Sequence, residues 1–114
     1  MDFQDTKVLE EKEKAFPFLK KLEKLIEEAK LEDAKKSKMK NVHKKGSSQI
    51  AKKMGEEAVE MVIASGQEDN LAFLEESADV FFYYLMALHH RGFSLRDVLM
   101  ILKERHTKKQ KLRK

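Results

Sequence analysis

Glu56, Glu57 and Glu60, followed by Glu75, Glu76 and Asp79, are the side chains whose types and spacing could do chemistry in this chain. On a helix, residues three or four apart share a face. Glu57 and Glu60 therefore project together, with Glu56 stacked under Glu60, and Glu76 projects with Asp79. Two like charges about 5 Å apart repel by roughly 3 kcal/mol at an effective dielectric of about 20. That outweighs the few tenths of a kcal/mol that a surface helix pair returns. No Lys or Arg occurs between Lys53 and Arg91 to offset the repulsion. Such a cluster must hold protons or bind a cation. All-oxygen ligands with no cysteine favour a hard ion, Mg²⁺ first and Mn²⁺ second. Magnesium held by a few carboxylates and several waters is the usual arrangement for handling phosphates.

The elements carrying these acids are unusual for a water-facing stripe. Around the first set lie Ile50, Met54, Ala58, Val59, Met61, Val62 and Ile63; the second set runs on through Val80 to Leu88 without a polar break other than two tyrosine hydroxyls. Helices apolar on every side are normally buried, so the carboxylates are expected to be partly dehydrated. Ser65-Gly66-Gln67 separates the two helices and lets them double back. An antiparallel pair so joined brings both acidic faces to one place. The alternative, glutamates at helical spacing on a solvated face, fits neither the apolar surroundings nor the pairing of two such sets.

A length of 114 residues, one proline, four glycines and an abundance of Lys, Glu, Leu and Met indicate a single all-α domain over 1–114. The expected architecture is a four-to-five-helix antiparallel bundle. The absence of cysteine removes thiolate and disulfide chemistry and suits a reducing cytoplasm. Met1-Asp2-Phe3-Gln4-Asp5 lacks the basic-then-apolar order of a signal peptide, and Val80–Leu88 is too short to span a bilayer. Net charge is +4, concentrated in two places. Between Ala34 and Gly55 there are eight lysines, including Lys45 and Lys53, and no acid; the C-terminus is basic again from Lys103. These runs could meet the phosphates of a small anionic substrate. Nucleic acid is a weaker reading, because neither run carries the interleaved aromatics of single-strand binders.

In chain order, residues 1–14 read as a frayed lead-in. Phe16-Pro17-Phe18 opens a first amphipathic helix with Phe18, Leu22, Leu25, Ile26 and Ala29 on its apolar face, assigned to packing alone. From Asp33 to Gly46 the periodicity fails, and a mobile loop is expected. Ser47-Ser48 offers an N-cap for the first acidic helix, and Asp69 or Asn70 one for the second, with Gly92 as its left-handed stop. Ser94 to Asp97 resembles a capping box, opening a last helix with Val98, Leu99, Ile101 and Leu102 on one side and fraying over 107–114. His43, His89, His90 and His106 are read as surface or capping groups, not metal ligands. No Gly-rich phosphate loop, nucleophile elbow or zinc spacing occurs.

Glu56-Glu57-x-x-Glu60 followed by Glu76-x-x-Asp79 resembles the signature of the all-α nucleoside triphosphate pyrophosphatase superfamily. Within it, Ile50 to Glu60 (IAKKMGEEAVE) and Arg91 to Val98 (RGFSLRDV) are similar to phosphoribosyl-ATP pyrophosphatase of histidine biosynthesis, over roughly residues 37–106. The resemblance implies Mg²⁺-dependent cleavage between the α and β phosphates, yielding phosphoribosyl-AMP and pyrophosphate. By motif position it implies Glu57, Glu60, Glu76 and Asp79 as metal ligands and Glu56 as a further ligand or the base that activates water, so that Glu56 and Glu57 form the catalytic pair. Lys53 and Lys45 would meet substrate phosphate, and Tyr83 would support the site. It also implies a cytoplasmic homodimer whose two chains complete the bundle. The chain departs from the family at Ser37-Lys38-Met39, where Ser, an aromatic and Thr are usual, and at Phe82-Tyr83, where Tyr-His is usual. A house-cleaning (deoxy)nucleoside triphosphate pyrophosphohydrolase is the alternative, and a lysine-rich nucleic-acid module a third. A di-iron bundle is disfavoured because its Glu-x-x-His pairs are missing.

Overall fold

Local chemistry sets most of the helix boundaries. The computed structural model describes residues 3–112, and the side chains of residues 7–110. These residues form six helices and no strand: α1 (Phe3–Glu13), α2 (Ala15–Glu28), α3 (Lys38–Lys45), α4 (Ser47–Ser65), α5 (Asn70–His90) and α6 (Leu95–Leu112). Pro17 lies in the first turn of α2, where an N–H has no intrahelical partner to lose. Asp69 caps α5, its Oδ1 accepting from the Ala72 N–H at 3.1 Å, and Gly92 follows that helix at φ +85°. At the start of α6 the Asp97 carboxylate accepts the Ser94 N–H at 2.8 Å.

The all-α class holds, but two segments differ from the sequence reading. The lead-in is helical as α1, with every described side chain in it exposed. The segment expected to be a mobile loop contains α3, capped by Ser37 Oγ on the Lys40 N–H at 3.1 Å. Met39, Val42 and His43 explain it: at spacings of three and four they form one half-buried face, hidden in the sequence by the lysines on the other side. Ser47 and Ser48 do not cap α4. Gly46 is its N-cap residue, with no side-chain bond, and its φ of +86° joins α3 to α4 through a single residue. Residues 113 and 114 of the basic tail lie outside the described residues.

The core is small. Ile26 of α2, Ile50 of α4, and Leu85 and Met86 of α5 are completely buried, with Leu19, Leu22, Met39, Val42, Phe82, Ala87, Leu88 and Leu95 around them. The antiparallel α4–α5 hairpin is the backbone of the molecule, with α2 and α3 laid across its Ile50/Leu85 end. Much apolar surface stays uncovered: Val62 is 66% exposed, Leu71 66% and Leu102 52%. From Leu99 to Gln110 every side chain of α6 is exposed. The radius of gyration is 17.4 Å, against about 13 Å for a compact chain of this length.

Candidate active site

The α4–α5 hairpin brings the acids of both helices together. One carboxylate oxygen each from Glu57 on α4 and from Glu76 and Asp79 on α5 lie within 4.8 Å of one another. Glu57 and Glu76 are half-buried and Asp79 is exposed. Glu76 Oε2 has no accessible surface and no hydrogen-bond partner. Its surroundings explain this, since the neighbouring groups are carboxylates, which accept but cannot donate when ionised. Burial, then the carboxylates of Glu60 and Glu57, push the Glu76 carboxyl up to about 7. Glu60, on the exposed side of α4, therefore belongs to the same cluster. Among the described residues, none of Glu57, Glu60, Glu76 and Asp79 has a Lys, Arg or His nitrogen within 4 Å. A buried, donor-free oxygen among further carboxylates is a set of hard ligands that a divalent cation fits.

Two of the six acids stand apart. Glu56 is exposed and turned to Lys53, 3.5 Å away, so this one carboxylate does have a local counterion. Glu75 is exposed and is not among the converging carboxylates. Lys45, Lys53 and Tyr83 meet one turn away from the acids, lining a cavity of about 40 Å³ together with Val42, Gln49 and Ile50. Tyr83 is buried and packs edge-on to Phe82 at a centroid separation of 5.2 Å. It is thus both a core aromatic and a wall of this cavity. Lys38 Nζ lies over both rings, 5.2 Å from the Phe82 centroid and 5.6 Å from that of Tyr83.

The histidines do more than the sequence reading assigned them, though none joins the acids. His89 is 4% exposed. Its Nδ1 lies 2.7 Å from Glu27 Oε1 and its Nε2 3.4 Å from Glu23 Oε2, and Glu23 Oε1 also accepts the Leu95 N–H at 3.0 Å. This knot ties α2 to the end of α5 and the start of α6, so the polar face of α2 is not merely solvated. At Glu27 burial alone would raise the pKa, but hydrogen bonds from His89 and Lys30 prevail and lower it. Burial lowers the pKa of His43. Its Nε2–H donates to the Ile26 carbonyl at 3.0 Å, leaving Nδ1 to accept from His90 at 3.3 Å. Glu23 and Glu27 share a face by spacing, which was the available hint; that His89 faces them is a matter of tertiary packing. A cavity of about 620 Å³ opens at this end between Lys30, Lys40, Lys44 and His90, and none of the acids of the cluster lines it.

Residues 19–106 match the family model described as phosphoribosyl-ATP pyrophosphohydrolase. The chain belongs to that family. The match takes in the chain from Leu19 of α2 to His106 of α6, and so includes the acidic hairpin, the lysine-lined cavity and the His89 knot. Similar proteins include the histidine biosynthesis bifunctional protein HisIE of Pasteurella multocida, 40% identical over 91 residues (80% of this chain, 45% of that protein). HisIE of Vibrio cholerae is 35% identical over 96 residues (84% and 46%), and that of Buchnera aphidicola from Schizaphis graminum 35% over 98 residues (86% and 47%). The chain spans about half the length of the curated relatives it matches. Membership of a phosphoribosyl-ATP pyrophosphohydrolase family goes with divalent-metal chemistry in general, and the donor set of the hairpin agrees. Among the described residues no helix is long and apolar enough to cross a membrane.

Proposed function

We propose that this chain hydrolyses the α–β phosphate bond of phosphoribosyl-ATP, giving phosphoribosyl-AMP and pyrophosphate, with Mg²⁺ as its metal. The observation that carries the reading is the convergence of Glu57, Glu76 and Asp79 around a buried oxygen with no donor, inside the stretch that matches the family. Glu57, Glu60, Glu76 and Asp79 would hold the ion, which when bound supplies charge neutralisation at phosphate and a more acidic water. Hydrolysis needs one carboxylate to accept a proton from the attacking water. Glu56 serves best, because it lies one turn from Glu60 yet is outside the converging trio, on the exposed side of α4 where water reaches it. Lys53 and Lys45, beside Tyr83, would meet the phosphate chain.

A homodimer acting in the cytoplasm belongs to the same reading. The uncovered apolar side chains of α4, α5 and α6 and the extended shape support a second copy as the missing half of the bundle. A house-cleaning role on other nucleoside triphosphates is favoured by one feature, the Lys38-Met39 and Phe82-Tyr83 departures on the substrate side. Pyrophosphate release measured across phosphoribosyl-ATP, ATP and the dNTPs separates the two. Turnover of phosphoribosyl-ATP that needs Mg²⁺ and is lost in Glu60→Ala is expected; turnover of dNTPs alone would overturn the assignment.

A further inference from the structure

We propose that Lys38 binds a phosphate of the substrate, its ammonium held over Phe82 and Tyr83 one helical turn from Asp79. This deepens the pyrophosphohydrolase reading and rests on it. Phe82 and Tyr83 follow Asp79 on α5 by three and four residues, a rise of about 4.5–6 Å. Lys38 Nζ at 5.2 and 5.6 Å from the two ring centroids is therefore set beside the acidic cluster, at a different level along the hairpin. Lys45 and Lys53 line the cavity beside Tyr83. Three lysines thus stand beside one tyrosine, one turn along α5 from Asp79. A compact ammonium on a flexible stem suits phosphate as a point charge.

Two other lysines of α3 have different tasks. Lys40 Nζ is spent on the Leu31 and Glu32 carbonyls, at 2.6 and 3.1 Å. Lys44 lines the large cavity beside His43 and His90. Lys38 is exposed, its backbone is fixed by the Ser37 cap, and it has no carboxylate within 4 Å among the described residues. The aromatic faces hold the ammonium in place without neutralising it, which a glutamate partner would do.

The test compares Lys38→Met, Lys38→Arg and Lys36→Met, the last removing the same charge from the exposed segment before α3. Steady-state kinetics on phosphoribosyl-ATP and calorimetric binding of pyrophosphate with Mg²⁺ are measured on the full chain. Lys38→Met should raise KM about tenfold or more, as loss of a charged hydrogen bond would, with kcat changed less than about twofold; Lys38→Arg should keep most of the affinity. Weaker pyrophosphate binding in Lys38→Met would assign the contact to the leaving group. Unchanged pyrophosphate binding with raised KM would assign it to a phosphate that stays with phosphoribosyl-AMP. A lower melting temperature with KM and pyrophosphate binding unmoved would overturn the proposal, leaving Lys38 only a packing role, and so would an equal effect in Lys36→Met. If the unmodified chain fails to cleave phosphoribosyl-ATP, the functional reading fails by itself; weaker pyrophosphate binding in Lys38→Met then still supports a phosphate contact at Lys38, and unchanged binding overturns it.

Discussion

Metal binding should drive a proton off Glu76, and the amount follows from where that side chain sits. Burial, with Glu60 and Glu57 beside it, moves its carboxyl from an ordinary 4.5 up to about 7. A group titrating there is about nine-tenths protonated at pH 6, about half at pH 7 and about one-tenth at pH 8, and an incoming cation must displace that proton. Calorimetric Mg²⁺ titrations in buffers of differing ionisation enthalpy should therefore report about 0.9, 0.5 and 0.1 proton released at those pH values. Apparent affinity should rise by up to about tenfold per pH unit below pH 7 and level off above it. The same shift has a sign for stability without metal. Because the folded pKa is above the unfolded one, there is no penalty below about pH 4.5. Stability is then lost as pH rises towards about 7, and the loss is complete above it. Mg²⁺ should accordingly raise the melting temperature more at pH 8 than at pH 5. Glu76→Gln should abolish the proton release, weaken Mg²⁺ binding, and raise the metal-free melting temperature at pH 8, since its amide can donate to Glu57 or Glu60. Equal proton release at pH 6 and pH 8, or a Gln variant no more stable than the parent at pH 8, would refute the account.

Elsewhere, His89→Leu should cost about 1–3 kcal/mol, the range for a charge-assisted hydrogen bond kept low by the exposure of Glu27. Followed by thermal circular dichroism, that is a fall of about 4–12 °C, and a double-mutant cycle with Glu27→Gln should recover coupling above about 0.5 kcal/mol. Gly46→Ala should destabilise by about 1–3 kcal/mol in denaturant unfolding, because φ +86° with ψ 174° is a region open essentially to glycine. No atom lies near an added Cβ there, so a neutral result would mean that the α3–α4 joint can relax. Val62→Glu should shift the protein from dimer to monomer in analytical ultracentrifugation if the exposed face of α4 meets a second copy. An unchanged sedimentation coefficient would exclude that face.

What the sequence determined was whatever a single helix decides by itself. Glu57 with Glu60, and Glu76 with Asp79, share faces because 3.6 residues make a turn, and Asp69 and Gly92 mark helix ends because their chemistry acts over three residues. The hairpin break at Ser65–Gln67 was legible for the same reason, and it sufficed to bring the acids together. Tertiary structure decided the rest. Met39, Val42 and His43 form a helix face only because Ile26, Ile50 and Leu85 stand opposite, so lysines on the solvent side masked α3. His89 became a buried tie because Glu23 and Glu27, more than sixty residues earlier, are laid against it. Among six nearby acids, packing chose Glu76 to lose its water and left Glu56 to Lys53. Dehydration and charge pairing depend on what arrives from distant parts of the chain, and periodicity along one helix carries no record of that.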